Sequence, residues 1–288
     1  MQDTQEIIRW LNPSGKRLSK GHRRVAEYIA GHYEKAVFMT AARLGEQVDV
    51  SESTVVRLAM ALGYEGYPQF QKALQELARH RLTALQRFEM SSDIAHDAVL
   101  RTVLKADMQN IRATIEECDA QAFERAVECL LGVRRIYLLG IRSAAPLAQF
   151  MGCYLRFIFE DVRVVGDGVD DLFEQIARVG ADDALVGISF PRYSKRTLEA
   201  MRFAKEHGAQ VVGLTDGPMS PVQEVSTLCL TARTDMATFV DSLAAPLSMI
   251  NALIVALGLR KKSELSKHFA LMEGIWDAHS IYLGKTKE

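Results

Sequence analysis

Five short apolar runs in the second half of the chain constrain its fold more than any other feature. They are rich in β-branched residues and cover residues 136–139, 162–165, 184–188, 211–214 and 228–230. Helical patterns separate them, such as 146–159 and 195–207. Buried apolar strands that alternate with helices indicate a parallel sheet covered on both faces. We therefore predict an α/β doubly wound, parallel-sheet domain over residues 125–288.

The first ninety residues show only helical patterns. We predict an all-α domain over residues 1–88, followed by a linker and connecting helix over residues 89–124. The polar segment Phe88–Asp93 is the candidate linker, and amphipathic helices are expected over Ile94–Glu117 and Ala120–Leu131. A length of 288 residues suits such a division, because domains usually span about 100–200 residues.

The composition is that of a globular protein, with 48% hydrophobic and 25% charged residues. The acidic N-terminus argues against a signal peptide, and no apolar run is long enough to cross a bilayer, so we expect a cytoplasmic protein. The four cysteines show no ligand or disulfide spacing, and we expect reduced thiols and neither metal nor cofactor. Residues 1–90 hold 13 Lys and Arg against 10 Asp and Glu, a mildly basic head on an acidic body.

A helix-turn-helix motif is predicted within the all-α domain. Thr40 can cap a helix over Ala41–Gln47, and Ser51 can cap a second helix that reaches Leu62 and stops at Gly63. In this motif the second helix enters the major groove of DNA and its first residues approach bases and phosphates. The residues we expect to contact DNA are Lys20, Arg24, Ser51, Ser53, Thr54 and Arg57.

Each of these residues has a simpler explanation when taken alone. Ser51 can serve only as a helix cap, and Arg57 can be an ordinary solvated charge. DNA binding is favoured because the caps, the turn and the apolar positions agree in spacing. The basic run that includes Lys16, Arg17 and Arg23 suits contact with phosphates.

The motifs of this region resemble those of RpiR-family regulators over about 60 residues. The matching stretches are Leu18-Ser19-Lys20, Arg23-Arg24-Val25-Ala26, Ala42-Arg43-Leu44-Gly45, Val50-Ser51-Glu52-Ser53-Thr54 and Leu62-Gly63-Tyr64. The resemblance implies a transcription regulator in which this domain is paired with a sugar isomerase (SIS) domain that senses a small anionic effector, typically a sugar phosphate.

Three strand ends of the α/β domain are candidate ligand sites. Ligands of doubly wound sheets bind beyond the carboxyl ends of the strands, where helix N-termini attract anions. The candidate residues are Gly140, Arg142, Ser143, Ser189, Arg192, Ser194, Thr215 and Ser220. The simpler alternative is that the serines are helix caps and that the two arginines form surface ion pairs.

The resemblance to SIS domains is altered at these loops. SIS domains usually carry G-x-G-x-S after the first strand and S-x-S-G-x-T after the third. Here Arg142 stands at the second glycine and Ala144 at the serine of the first motif, whereas Pro191, Arg192 and Ser194 replace the later residues of the second motif. We interpret this as an anion site in which two arginines replace backbone N–H groups.

Two other functions compete with a ligand-responsive regulator. A phosphosugar isomerase would need a base to move a proton between carbons, and Glu174 and His207 are the candidates. A scaffold without ligand is the third possibility. Because helix-turn-helix proteins usually bind palindromic DNA as dimers, we expect a homodimer or homotetramer, with contacts from helices near Met108–Ile115 and Phe239–Leu259 unless these are buried in the monomer.

Overall fold

The computed structural model describes residues 11, 18–37, 39–78, 83–91, 94–168, 170–236 and 238–283. The chain divides into two compact units. One comprises residues 1–99 with 237–239, and the other comprises residues 100–236 with 240–288. The predicted bounds of the linker and of the two domains stay predictions.

The first unit is helical. Its described helices are α1 (Lys20–Gly31), α2 (Tyr33–Ala36), α3 (Ala41–Gln47), α4 (Glu52–Ala61), α5 (Tyr67–Ala78) and α6 (Ala84–Ser91). Ser19 caps α1 by accepting the His22 N–H at 3.3 Å, and Thr40 caps α3 by accepting the Arg43 N–H at 3.2 Å. The apolar positions that the helical spacing picks out, including Val25, Ile29 and Leu44, form one buried core.

Two predictions for the connecting segment were wrong. Phe88–Ser91 belongs to helix α6 and is not a polar linker, while Ser92 and Asp93 lie outside the described residues. The long helix predicted from Ile94 begins only at Val99, after a 3₁₀ turn over His96–Ala98. The polar character of residues 88–93 misled the prediction because a half-exposed helix carries polar residues too.

The second unit is built on a five-stranded parallel sheet. Its strands are β1 (Arg135–Gly140), β2 (Val162–Val165), β3 (Asp183–Ile188), β4 (Gln210–Thr215) and β5 (Leu228–Thr231), in the spatial order β2-β1-β3-β4-β5. Every β3 residue is buried, as expected of a central parallel strand. The α/β doubly wound fold is confirmed, and the order places a switch point between β1 and β3.

Helices cover both faces of this sheet. The helices of this unit are α7 (Val99–Glu117), α8 (Ala120–Leu131), α9 (Ala145–Ile158), α10 (Leu172–Gln175), α11 (Lys195–Glu206), α12 (Val222–Val225), α13 (Ala244–Arg260) and α14 (Lys262–Ala278). Successive strand residues alternate between two cores. Leu138 belongs to one core with residues of α8, α9 and α13, and Leu139 belongs to the other with residues of α10, α11 and α12.

Helix α13 contains residues that the sequence assigned either to subunit contacts or to the core of the monomer. Ile250 and Leu253, which lie in a segment considered above for subunit contacts, are fully buried in the core of their own chain. The helix also begins at Ala244 and not at Phe239. Taken singly, no described helix is long and apolar enough to cross a bilayer. Helices α13 and α14 pass that length-and-composition test only as a pair, bent by 100°.

Candidate DNA-binding and ligand-binding sites

The turn between α3 and α4 is tight, and Gly45 makes it possible. The Val50 N–H donates to the Gly45 carbonyl at 2.9 Å. A Cβ on Gly45 would lie 2.8 Å from the Val50 carbonyl oxygen, a backbone atom that cannot move aside. Asp49, in the middle of the turn, has a φ of 52°, a left-handed conformation that Asp tolerates better than most residues. The predicted helix-turn-helix geometry is therefore built by these two residues.

Helix α1 packs closely against the start of α4 at a second glycine, Gly21. A Cβ on Gly21 would lie 2.9 Å from the methyl carbon of Thr54. The Thr54 side chain is therefore only half exposed, with its methyl group toward α1. Thr54, one of the residues predicted to contact DNA, therefore also packs α4 against α1.

The remaining polar residues at the start of α4 are exposed. The Ser51 hydroxyl shares hydrogen bonds of 2.9 Å with the hydroxyls of both Ser53 and Thr54. Ser51 occupies the N-cap position, but its side chain makes no capping bond to the backbone, contrary to the prediction. Arg57 folds back along the helix and donates to the Ser53 carbonyl at 3.1 Å. These side chains form a polar, solvent-facing surface at the N-terminus of α4.

Three basic residues of α1, Lys20, Arg23 and Arg24, are exposed, and Arg24 has a partner that the sequence did not reveal. Lys20 lies at the first position of the helix. Arg24 donates to the Asp49 carbonyl at 3.1 Å and forms an ion pair of 3.4 Å with the carboxylate. Lys16 and Arg17 lie outside the described residues.

The first loop of the α/β unit follows β1. A Cβ on Gly140 would lie 2.4 Å from the Ala144 carbonyl oxygen, so only glycine fits there. Arg142 has a φ of 57°, and its side chain is exposed, as is that of Ser143. This loop turns into α9 through a short 3₁₀ helix over Arg142–Ala144.

The second loop, after β3, uses its serines for local structure. Ser194 caps α11 by accepting the Thr197 N–H at 3.3 Å. The buried Ser189 hydroxyl accepts the Ser194 N–H, also at 3.3 Å. Arg192 is exposed and has a φ of 67°. The alternative that serines serve as caps therefore describes Ser194 well, whereas Arg192 has no such role.

The third loop, after β4, is tied to the second. The hydroxyls of Thr215 and Ser220 are 2.7 Å apart and both residues are buried. Ser220 also accepts the Val222 N–H at 3.2 Å, but the helix begins at Val222 and Pro221 occupies its N-cap position, so the predicted cap by Ser220 was wrong. The Tyr193 hydroxyl donates to the Asp216 carboxylate at 2.8 Å and links the loops after β3 and β4.

The two arginines share two properties. Both stand in the left-handed region at positions where SIS motifs carry glycine, and both side chains are exposed. Within the described part of the chain, the side chains of Arg142 and Arg192 have no ion-pair or hydrogen-bond partner. The expected alternative of surface ion pairs is therefore not what the structure shows for these residues.

A pocket of about 340 Å³ lies beside the first loop. Gly140 and Ala145, on either side of Arg142, form one wall, and the residues that follow β2 form another. Its polar lining was not predicted and consists of Gln149, Asp167, Asp170 and Gln175. The Gln175 amide stabilises the wall formed by the residues after β2, because it donates to the carbonyls of Gly166 and Asp170 at 2.9 Å each. The polar residues that follow β2 directly in the sequence could have indicated this part of the pocket.

An ion pair connects this wall to α11. Asp171 lies 2.6 Å from the Arg196 guanidinium. The Phe173 backbone N–H, and after it the charge of Arg196, hold the pKa of the Asp171 carboxyl below its usual range. The ion pair therefore links the segment after β2 to the first turn of α11 at neutral pH.

Neither candidate catalytic base is placed for proton transfer. The Glu174 carboxylate accepts the Asp171 N–H at 3.0 Å in a capping box. The ring of His207 bonds to the Phe203 carbonyl at 2.8 Å, at the C-terminal end of α11, whereas the loops discussed above lie at the N-terminal end of that helix. Among the described residues no cluster of His, Cys, Asp and Glu is suited to hold a metal ion.

A helix-turn-helix unit joined to a doubly wound α/β unit defines a class: DNA-binding regulators with a sugar-isomerase-like domain. Residues 6–80 match the model of the helix-turn-helix domain, rpiR family, and residues 130–256 match the SIS domain model. The chain is therefore a transcription regulator that combines an rpiR-family helix-turn-helix domain with a SIS domain, as the resemblance predicted.

Known transcription regulators are similar to this protein over most of the chain. The transcriptional regulator HexR of Pseudomonas aeruginosa is 28% identical over 257 residues, which cover 87% of this chain and 88% of HexR. The HexR regulator of Escherichia coli is 27% identical and covers 92% of this chain and 94% of its own length. The structure of the Vibrio vulnificus NanR protein, complexed with ManNAc-6P, has a TM-score of 0.55 at 21% identity and covers 93% of this chain and 98% of NanR. Both HexR relatives are transcription regulators, which agrees with the predicted regulator function.

Proposed function

We propose that this regulator detects a small hydroxylated anion, a sugar phosphate or a similar acid, at the loops after β1, β3 and β4, and that the ligand changes operator binding by α4. The observation that carries the proposal is the pair Arg142 and Arg192. Both are exposed cations without a partner among the described residues, at the edge of the sheet where doubly wound folds bind ligands.

The backbone conformation of these arginines supports a functional role. A non-glycine residue in the left-handed region costs about 1–2 kcal/mol, and such strain persists mainly at functional sites. Glycine would adopt the same φ without this cost. The two guanidinium groups supply charge and paired donors for an oxyanion, which neutral backbone N–H groups supply in the usual SIS motif.

The polar side chains of the neighbouring pocket are suited to bind the hydroxyl groups of the proposed ligand. Its carboxylates, Asp167 and Asp170, accept hydrogen bonds from hydroxyl groups, and the Gln149 amide can donate or accept. An anion near Arg142 would place an attached polyol at the mouth of this pocket. ManNAc-6P, which NanR binds, combines the same two chemical features. Gly140, Ser143, Ser189, Ser194, Thr215 and Ser220 shape these loops and remain proposed ligand contacts.

For the operator we propose contacts from both helices of the first unit. Ser51, Ser53, Thr54 and Arg57 would approach bases and phosphates, and Lys20 and Arg24 would contact phosphates. We propose that the protein works in the bacterial cytoplasm, where its operator lies, as a homodimer or homotetramer. The ligand can shift operator affinity only by binding one arrangement of the oligomer more tightly than the other.

A ligand screen followed by two variants tests the sensing function. Sugar phosphates, free sugars and small acids are screened by thermal shift, and the affinity of each hit is measured by calorimetry. Arg142→Ala and Arg192→Ala should each weaken binding by about tenfold or more, because each removes a charge-assisted contact. Arg202→Ala, which removes an exposed charge from the body of α11, is the matched control and should bind like wild type.

Ligand binding must also change the affinity of the protein for its operator. A true effector should change the affinity of wild-type protein for DNA upstream of its own gene, and the two arginine variants should respond less. Equal ligand affinity in Arg192→Ala and wild type would contradict the proposed site. A screen in which only uncharged sugars bind would contradict the proposed ligand class.

A further inference from the structure

The segment between β5 and α13 passes from one unit to the other and back. It starts after β5, ends before α13 begins at Ala244, and contains residues 237–239, which belong to the first unit. The residues on either side of 237–239 belong to the second unit. We call residues 232–243 the β5–α13 connection. It is therefore a covalent route from the parallel-sheet unit to the DNA-binding unit, in addition to the passage at residues 99 and 100.

The connection begins at the edge of the sheet that carries the proposed ligand loops. Thr231, the last residue of β5, pairs with Thr215, the last residue of β4. The N–H of the buried Ala232 donates to the Thr215 carbonyl at 2.8 Å. The Thr215 hydroxyl lies 2.7 Å from the hydroxyl of Ser220, in the loop after β4. A displacement of Thr215 therefore acts directly on the first residue of the connection.

Helix α7 holds the next part of the connection through two buried polar side chains. The Thr114 hydroxyl accepts the Arg233 N–H at 2.9 Å and donates to the Asn110 carbonyl at 2.8 Å. The Asn110 amide makes two bonds with the backbone of Asp235, because it accepts the N–H and donates to the carbonyl, both at 2.9 Å. Asn110 is only 2% exposed. Since a buried amide without partners is costly, these bonds fix the connection to α7.

The middle of the connection packs within the first unit. The Phe239 N–H donates to the hydroxyl of Ser91, the last residue of α6, at 2.9 Å. The rings of Phe239 and Phe88 meet edge to face, and their centroids are 5.6 Å apart. Aromatic pairs in this geometry contribute beyond the apolar area that they bury. Helix α6 is therefore held to the connection by one hydrogen bond and one aromatic pair.

The connection returns to α7 before α13 begins. The Ser242 hydroxyl donates to the Asp107 carboxylate at 2.6 Å. Asp107 and Asn110 are three residues apart and therefore lie on the same side of α7. Both ends of the connection are thus bound to one side of one helix, whereas residues 237–239 between them belong to the other unit. Six residues lie between Asp235 and Ser242, so a movement of either end reaches the middle over a short length of chain.

We propose that the β5–α13 connection transmits ligand binding from the sheet edge to α6. The inference rests on the proposed function, because it takes the loop after β4 as part of the ligand site. A ligand that moves Thr215 displaces Ala232, changes the bonds between the connection and α7, and alters the contact of Phe239 with α6. The ligand favours one arrangement only by binding it more tightly than the other. The hydrogen bonds described above form the continuous physical network that such coupling needs.

Hydrogen–deuterium exchange of the full-length protein, without effector or DNA, tests this route. Asn110→Ala removes both bonds to the Asp235 backbone, and Thr215→Val removes the hydroxyl that bonds to Ser220. Each variant should raise the amide exchange rate of Ala84–Ser91 by about fivefold, because the loss of hydrogen bonds makes local opening easier. Neither substituted residue belongs to the first unit, so this increase has to be transmitted to α6.

Two controls separate transmission from a general loss of stability. Gln109→Ala changes an exposed amide next to Asn110 on the same helix. Arg134→Gln weakens the ion pair with the buried Asp183 at the opposite, amino-terminal end of the sheet. Both should leave the exchange rate of α6 within about twofold of wild type. Circular dichroism and thermal unfolding establish that all variants are folded.

A double variant shows whether the effect passes through the connection. Phe239→Ala removes the ring contact with Phe88 and should by itself raise the exchange rate of α6. Phe239 is half exposed, so the substitution leaves no large cavity. In this background Asn110→Ala should add less than about twofold, because residues that act through one route have non-additive effects.

Three results would overturn the proposal. They are an unchanged α6 exchange rate in either Asn110→Ala or Thr215→Val, an equal increase in Arg134→Gln, and fully additive effects of Asn110→Ala and Phe239→Ala. None of these measurements uses an effector or an operator. A ligand screen without hits would count against the proposed function and leave the exchange measurements intact, so the two failures are distinguishable.

Discussion

The Arg24 guanidinium is held by Asp49, the residue at the centre of the helix-turn-helix turn. Arg24 donates to the Asp49 carbonyl at 3.1 Å, and its Nη2 lies 3.4 Å from the carboxylate. The Asp49 side chain is 92% exposed, so the pair is well solvated and contributes little to stability. The pair matters for DNA binding instead, because the negative charge of Asp49 lies beside Arg24, a residue expected to contact phosphate.

Replacing Asp49 by Asn should strengthen DNA binding. Asn tolerates a positive φ as Asp does, so the turn is kept while the carboxylate charge is lost and Arg24 is released. We expect affinity to rise severalfold for operator and nonspecific DNA alike, since phosphate contacts carry no sequence information. Fluorescence anisotropy at several salt concentrations measures this. Glu116→Gln, which removes a similar exposed ion pair with Arg112, should leave DNA affinity unchanged, and a gain there equal to that of Asp49→Asn would refute the explanation.

A Cβ at Gly45 should disrupt the DNA-binding unit. In Gly45→Ala the new carbon would lie 2.8 Å from the Val50 carbonyl, and the turn must open to relieve the contact. We expect a loss of about 1–3 kcal/mol in stability together with a large loss of operator affinity. Gly31→Ala is the control, because nothing lies within 4 Å of its Cβ and α1 should be unaffected or slightly stabilised. Similar unfolding curves for the two variants would show that the close approach has no energetic effect.

Glycine at the two strained arginines should separate stability from ligand binding. Arg142→Gly and Arg192→Gly relieve a left-handed strain of about 1–2 kcal/mol each, less the extra entropy that glycine loses on folding. We expect each variant to melt up to a few degrees higher than wild type without ligand and to bind ligand more weakly. Arg202→Gly, in the middle of α11, should instead destabilise the protein by about 1 kcal/mol. A lower melting temperature for both loop variants would argue against strain.

Tyr67 should make the first unit sensitive to alkali. Its buried hydroxyl donates to the Met39 carbonyl at 2.7 Å, and burial raises the pKa of Tyr67 to about 12. The folded pKa lies above the unfolded value of about 10, so the contribution to stability is complete below pH 10 and is lost as the pH rises toward 12. Urea unfolding of wild type should therefore show a decline of up to about 2–3 kcal/mol across this range. Tyr67→Phe should remove much of that decline, whereas Tyr154→Phe, at an exposed position, should retain it.

Most of the fold was predictable because it depends on patterns along the chain. The central strands β1, β3 and β4 were recognisable as apolar runs, since a central parallel strand buries both of its faces. The edge strands β2 and β5 gave shorter apolar runs and are only partly buried. Helices α3 and α4 were recognisable from Thr40, from the spacing of Val55, Leu58 and Ala59, and from Gly63, whose φ of 94° ends α4. The segment from Phe88 was wrongly interpreted because a short helix with an exposed side has the same polar composition as a linker.

The sites were predictable only in outline. The sequence located the loops after β1, β3 and β4, but it could not show which hydroxyls were already occupied. Ser194 caps a helix, and Ser220 bonds to both Thr215 and the Val222 N–H. These bonds depend on distances between atoms and not on residue type. The pocket formed with Asp167 and Asp170 was missed because β2 lies beside β1 only once the sheet has formed.

What the sequence by itself determined is therefore the class of the protein, its helix-turn-helix, its parallel sheet and the presence of two arginines where glycine is usual. Local patterns suffice for these features, because periodicity, caps and turn residues act over a few positions. Only the tertiary structure decided that Arg24 pairs with Asp49, that Arg142 and Arg192 take the left-handed conformation, and that one side of α13 is buried while the other is exposed. Such relationships join residues far apart in the chain or depend on the detailed backbone path, and packing alone establishes them.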